Sequence, residues 1–291
     1  MPKRGFPLLV ATDGSAPARG AVEAALVFPW PEGSSGHGIV ASGTPVLTDA
    51  TPAVWEALHA AASAQARQAE GRLRRRWPDA EVVVTDAPPV SGIIGRARRL
   101  RARAIVVGSR GLGAVGRFLL GSVSRRVVQR APTSVLVVRG DARPPRRFLI
   151  GVDGSRHARN AIGFVAALAV PPGGQATLLR VVEPVRLPTP GLLPARARAL
   201  VTREAARLEH QHVATAQRQL EAARARLAGA GWRVETEVRT GRPIEVLESA
   251  ARRADVLVIG AQGVGAIKHL LLGSVAASAV ARAPVPVLVV R

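Results

Sequence analysis

The sequence contains no cysteine and no tyrosine, and only two of its 41 basic residues, Lys3 and Lys268, are lysines. Without thiols there are no disulfides, no thiolate metal sites and no cysteine nucleophile. No apolar run approaches the ~20 residues that a membrane-spanning helix needs. Lys3 and Arg4 precede an apolar stretch, as in a secretory leader, but Asp13 ends that stretch too early, so a soluble cytoplasmic chain is expected. Acidic residues are scarce, 20 in all, and the net charge is +21. Such a field attracts nucleic acid or anionic surfaces. Aromatics make up only 3% of the chain, however, and base-stacking platforms usually need them. The charge therefore reads first as arginines on solvated helix faces, with nucleic-acid binding as the lesser reading.

What is present is ordinary core material and a duplication. The 291 residues are 47% hydrophobic, enough for about two domains with buried cores. The segment Gly121–Arg139 matches Gly273–Arg291 at twelve of nineteen positions, at an offset of 152. Leu8–Ser15 pairs with Phe148–Ser155 at an offset of 140, so the second copy carries about twelve extra residues in its middle. Two copies are too few for a solenoid, and duplication of a compact domain is the better reading. The expected division is residues 1–139, a polar proline-containing linker at 140–147, and residues 148–291.

Each copy alternates short β-branched runs with helical patterns. In the second copy strands are expected at 148–152, 176–182, 233–239, 255–259 and 286–290, with helices near 158–169 and 243–253 and from about 274. A long helix carries Val213, Ala216, Leu220, Ala223 and Leu227 on one stripe, while Arg218, Glu221 and Arg224 face elsewhere. Gly229 and Gly231 end it. In the first copy strands are expected at 6–11, 81–85, 104–107 and 134–138. A helix is expected near 52–76, with Thr51 as N-cap and Pro52 at the first helical position. The second strand, around 38–42, is weak and flanked by glycine. Alternating strands and helices imply a parallel sheet covered on both faces.

One spacing recurs between a buried strand and a helix. Gly108-x-x-Gly111 is followed nine residues later by Gly121-Ser122, and Gly260-x-x-Gly263 by Gly273-Ser274. Glycines let main-chain N–H groups approach an anion, and a helix start offers unpaired N–H groups at its positive dipole end. Ser122 and Ser274 can donate to a phosphate oxygen. Asp13 and Asp153, at strand ends, can accept from ribose hydroxyls or an adenine amino group. Each residue also has a plainer reading: the glycines as turns, the serines as helix N-caps, the aspartates as caps of the helices that follow them. The duplicated spacing shifts the balance toward a site.

The Asp-Gly-Ser after the first strand, the twice-occurring Gly-x-x-Gly-x9-Gly-Ser and the closing Pro-x-x-Val-Leu-Val-Val together resemble the universal stress protein family, in its ATP-binding subgroup, over nearly the whole chain. The resemblance implies two tandem α/β domains of Rossmann-like, adenine nucleotide α-hydrolase-like fold, each a five-stranded parallel sheet of order 3-2-1-4-5. It implies ATP as ligand, alone or with Mg. Asp13 and Asp153 would then contact the nucleoside, and Gly108, Gly111, Gly260 and Gly263 would shape the phosphate loops. Gly121, Ser122, Val123, Gly273, Ser274 and Val275 would line the phosphates and ribose. Val181 would touch the adenine, while the first copy departs there, supplying Ser42 or Gly43. In that family the last strands pair domains.

Other constellations are poor. His210 and His212 stand on different helix faces, where a helical metal pair wants i, i+4 spacing. No Gly-x-Ser-x-Gly elbow and no nucleophile–base pair is evident. Arg117 and Lys268, in the nine-residue spacers, could reach phosphates or be solvated. The leading expectation is a nucleotide-binding stress-response regulator with a protein partner of unknown kind. A slow ATPase or phosphotransferase is the alternative, and it lacks a recognisable base. The apolar edge strands at 135–138 and 287–290 invite pairing within the chain, or between two chains.

Overall fold

The computed structural model describes residues 5–41, 52–109, 120–184, 194–264 and 272–291. The first copy runs β1 (Phe6–Thr12), α1 (Ala16–Val27), β2 (Ser34–Ala41), α2 (Pro52–Leu73), β3 (Glu81–Thr85), α3 (Pro89–Arg99), β4 (Ala104–Gly108), α4 (Ser122–Arg130) and β5 (Ser134–Val138). The second runs β6 (Arg147–Gly151), α5 (Arg156–Ala166), β7 (Gln175–Val182), α6 (Ala195–Gly229), β8 (Arg233–Thr240), α7 (Pro243–Ala251), β9 (Val256–Gly260), α8 (Ser274–Arg282) and β10 (Val287–Val290). Thr51 lies outside the described residues. No helix among the described residues is long and apolar enough to cross a membrane.

The strands form one ten-stranded sheet of order β3-β2-β1-β4-β5-β10-β9-β6-β7-β8. Each half is parallel and ordered 3-2-1-4-5. Every strand of the middle is covered on both faces, so successive residues bury on opposite sides. Leu8 and Val10 of β1 join the core under α1, α2, α5 and α6, while Leu9 and Ala11 join the core under α3, α4, α7 and α8. On α6 the stripe of Ala216, Leu220, Ala223 and Leu227 is buried, and Arg224 instead pairs with Glu221 at 3.1 Å in solvent.

The second strand of the first copy is longer than its composition suggests, eight residues beginning at Ser34. Its glycines are there to make room. A Cβ on Gly36 would stand 2.1 Å from the indole of Trp77, and one on Gly38 would stand 2.6 Å from Val82. The bulk that a strand normally supplies itself comes here from α2's end and β3.

The halves meet where β5 and β10 pair antiparallel, with Leu136 opposite Leu288. Two arginines, Arg139 and Arg291, equivalent at the 152-residue offset, lock the seam reciprocally. Arg139 donates to the carbonyls of Val280 and Ala281 at the end of α8, and Arg291 donates to those of Val128 and Gln129 at the end of α4. Each thus satisfies orphan carbonyls of the other half's helix and sits at the negative end of its dipole. An aromatic cluster closes the same seam on the α1/α5 side. Phe28 meets Phe148 edge-on at 5.9 Å, Phe6 meets Phe164 at 5.6 Å, and Phe148 meets Trp232 at 5.0 Å.

The segment between the halves is anchored at Asp255. Its Oδ2 accepts from the main-chain N–H of Arg146 at 2.9 Å and of Arg147 at 2.8 Å, and its Oδ1 from the Arg147 guanidinium at 2.7 Å. Burial works against its ionisation, but those hydrogen bonds and the Arg147 charge outweigh it and hold the carboxyl below its usual pKa. A carboxylate depressed on folding stabilises the protein above its unfolded pKa of roughly 3.9, and that contribution is lost as pH falls through the lower folded value. Asp255→Asn is therefore expected to cost about 1 kcal/mol at neutral pH. It should also make stability less steep below about pH 4. Urea unfolding of both proteins at neutral and acid pH measures this, and parallel acid limbs would contradict it.

Candidate functional site

The sheet order reverses in each half where β1 lies between β2 and β4, and β6 between β7 and β9. The crevice at such a switch point opens beyond the carboxyl ends of the strands. Asp13 and Asp153 stand there. Their Oδ1 atoms accept from the N–H of Ser15 at 3.0 Å and of Ser155 at 2.9 Å, which shapes a tight turn. The helix caps are the serines: Ser15 Oγ accepts from Ala18 N–H at 3.3 Å and Ser155 Oγ from Ala158 N–H at 3.0 Å. The aspartates are therefore turn residues rather than caps.

In the second copy this turn is tied to the loop after β9. Asp153 Oδ2 accepts from Val264 N–H at 3.1 Å, and Ser155 Oγ donates to the Gln262 carbonyl at 3.1 Å. A Cβ on Gly263 would stand 2.7 Å from Asp153 Oδ2, so the loop passes directly over the carboxylate. Ser155 and Gln262 were not singled out from the sequence. The repeated Asp-Gly-Ser was the available signal for the first, and nothing local marks the second.

Gly108 and Gly260 have a different duty. Both end a central strand, and the first turn of a helix lies against them. A Cβ at 108 would sit 2.6 Å from the Pro17 carbonyl oxygen, and one at 260 would sit 2.7 Å from His157 C and 2.8 Å from Ala158 N. These contacts are with main chain, which cannot step aside. The pair sets how closely α1 and α5 dock on the strand ends. Gly111, Arg117, Lys268, Ser42 and Gly43 lie outside the described residues.

Gly121 and Gly273 are the N-caps of α4 and α8. Their own N–H groups donate to the carbonyls of Ser109 at 2.7 Å and Ala261 at 2.8 Å, and the N–H groups of Ser109 and Ala261 donate to Val138 at 2.8 Å and Val290 at 2.7 Å. Four amides near the glycine motifs are thus consumed by the fold. The first helical residues remain. Glycine has no side chain to cap with, and neither helix has a side-chain cap, in contrast to α1 and α5. Ser122 and Ser274 occupy the first helical position, exposed, and do not cap their own helices. An uncapped N-terminus presents N–H groups and a positive dipole end to whatever occupies the crevice.

Val123 and Val275 follow, half-buried against the same core as Val181. The register of β2 and β7 places Ala41 at the position that Val181 holds, since Thr12 faces Val40 and Gly151 faces Leu179. The first copy thus presents alanine there, rather than Ser42 or Gly43. His157, in the first turn of α5, is held below its usual pKa by burial and by the charges of Arg156 and Arg291, against the pull of Asp153, so its imidazole is neutral at physiological pH. Arg19 and Arg159 donate to the carbonyls of Gly14 and Gly154, placing a cation on the rim of each turn. Among the described residues no group of three histidine or acidic side chains could hold a metal, and the ring of His210 bonds its own helix at Ala206 O, 2.7 Å away. Two cavities, of about 890 and 340 Å³, lie at the seam between the halves.

The profile of the universal stress protein family matches this chain twice, over residues 6–139 and 145–291. A universal stress protein of Mycobacterium bovis is 30% identical over 314 aligned positions, covering 100% of this chain and 98% of that one. Another, of Mycolicibacterium smegmatis, is 32% identical over 206 positions, 65% of this chain and 62% of its own, so the match spans less than two thirds of that relative. Among solved structures, a universal stress protein from Archaeoglobus fulgidus has a TM-score of 0.68 at 19% identity, covering 98% of this chain and 96% of that one, a likeness of fold.

Proposed function

Since this chain belongs to the universal stress protein family, with two copies of its domain in tandem, we propose that it is a cytoplasmic stress-response regulator that binds ATP at its two switch-point crevices. The observation that carries the reading is the pair of helices that open on glycine without a side-chain cap, α4 and α8, the latter against the loop that crosses Asp153. A helix start left uncapped while its neighbour is capped by serine suits an anion. The amides of residues 122–124 and 274–276 take the phosphates, with the hydroxyls of Ser122 and Ser274. Asp13 and Asp153, whose Oδ1 atoms already organise the turn, present carboxylate to the ribose. Val181 forms an apolar wall for the base in the second copy, with Val275 beside the ribose, and the smaller Ala41 leaves that wall thinner in the first. Nucleotide occupancy then orders the glycine loops and changes the surface that a partner protein meets.

Ligand that binds only the folded chain stabilises it by about 2.7 kcal/mol at a hundredfold excess over Kd. Millimolar ATP is therefore expected to raise the melting temperature, and native mass spectrometry of the chain as purified should show bound nucleotide mass, one or two per chain. An unchanged melt at millimolar ATP, with or without Mg, would overturn the proposal.

A further inference from the structure

The larger seam cavity, about 890 Å³, belongs to neither half alone. The first half supplies Ala97–Arg103 and Pro132–Ser134, and the second supplies one side of α5, Arg226 and the end of β10. Four exposed arginines converge on it, Arg98, Arg101, Arg103 and Arg226, and Arg159 borders it with its guanidinium turned to the Gly154 carbonyl. No acidic side chain lines it. Elsewhere on this surface arginines find carboxylates, as Arg96 does with Glu81 at 2.9 Å and Arg282 with Glu248 at 2.7 Å, but among the described residues these four have no ion pair.

The duplication supplies an internal comparison. At the 152- and 140-residue offsets, Arg103 corresponds to Asp255, Pro132 to Pro284, and Phe164 to Ala24. Those counterparts line the smaller cavity. There the segment Arg139–Pro145 fills the groove and Asp255 neutralises Arg147, leaving about 340 Å³. One groove of the pseudo-symmetric pair is thus plugged and charge-balanced. The other is open and carries uncompensated cations. Arg101 is also the only non-glycine residue among those described with positive φ, +49°. A side chain there costs on the order of 1 kcal/mol against glycine.

We propose that this groove binds a chain of linked phosphoryl groups, free or carried on a small molecule, distinct from the nucleotide held at the glycine loops. Guanidinium forks match phosphate oxygens in pairs, and four of them exceed what a single phosphate can use. The concavity has the size of a small-molecule pocket at a domain boundary.

The test is calorimetric titration of the full chain with inorganic tripolyphosphate at roughly physiological salt, with orthophosphate and ATP as parallel arms. Tripolyphosphate should saturate one site per chain in the groove and bind at least tenfold more tightly than orthophosphate. The double variant Arg98→Ser/Arg101→Asn should weaken it at least tenfold, and Arg226→Gln, from the other half, several-fold. Asparagine accepts the positive φ at 101, and all three side chains are exposed, so folding is preserved. Removing two exposed arginines elsewhere that have no ion pair among the described residues, Arg67→Ser/Arg75→Ser, makes the same change in net charge and should alter affinity less than twofold. If the ATP arm loses a groove-dependent binding event in the same variants, a nucleoside-borne phosphate chain is the physiological form. If only tripolyphosphate does, it is the free one. Equal loss in both double variants would reduce the effect to the general basic field, and unchanged affinity in the groove variants would place the anion elsewhere. Either result overturns the proposal, as does the absence of saturable binding.

Discussion

Phe148→Ala is expected to lower the free energy of unfolding by about 3–5 kcal/mol. Phe148 is 1% exposed and is the second residue of the second half's first strand, β6. Its ring touches Phe28 of the other half and Trp232 of its own, both edge-on. Truncation removes the buried ring and leaves a cavity that two stiff aromatic neighbours cannot collapse into. The cost falls on the junction as well as on one half's core, because the core beneath α1 and α5 runs without a break across the seam. Phe148→Leu, which keeps most of the volume, should cost less than half as much. Denaturant unfolding of the two variants measures both values. A loss below about 1 kcal/mol for alanine would mean that the halves do not depend on this contact.

At that junction the pairing of β5 with β10 was legible in two short apolar edge strands, but the side chains that lock it were not. Strands such as β4 and β9 could be read because a doubly covered strand is a continuous apolar run, and the stripe on α6 because 3.6-residue periodicity is local. The aromatic seam pairs Phe28 with Phe148 and Phe6 with Phe164, partners too far apart in sequence for any periodicity to register. The reciprocal arginines, Arg139 and Arg291, stood at the end of the repeated segment, and nothing there indicated that each reaches the other half's helix. The start of β2 was hidden by its glycines, whose meaning depends on Trp77 and Val82.

The candidate site was legible as a set of positions and less so as a set of duties. The spacing located the strand ends and helix starts, since glycine stands at each of those transitions in both copies. Which glycine meets the anion and which meets a helix is a three-dimensional question. Gly260 and Gly108 answer to the docking of α5 and α1, and Gly273 and Gly121 to the opening of α8 and α4. The serines at 122 and 274 read equally well as N-caps, because the sequence alone does not say whether a Gly-Ser pair places the glycine or the serine at the boundary.

Those separate duties make Gly260→Val the most informative change at the site. The new Cβ alone would overlap the His157 and Ala158 main chain, at 2.7 and 2.8 Å, and the branched methyls add to it. Either the first turn of α5 lifts off or the end of β9 moves away. Both movements separate Ser155 from the Gln262 carbonyl and Asp153 from Val264, the two hydrogen bonds that tie the turn to the loop. Overpacking of this kind costs about 1–3 kcal/mol, occasionally more, so the chain should stay folded but melt earlier. If the second crevice holds ATP, it loses its nucleotide, while the first, whose Gly108 is untouched, keeps one. Native mass spectrometry with saturating ATP should then count one fewer nucleotide than for the unaltered chain. Gly108→Val should remove the other, and the two variants should retain different residual affinities, because only the second copy has valine at the position that Ala41 holds in the first. A Gly260→Val protein that is folded, destabilised as expected and still fully loaded would show that α5 docking and nucleotide binding are independent.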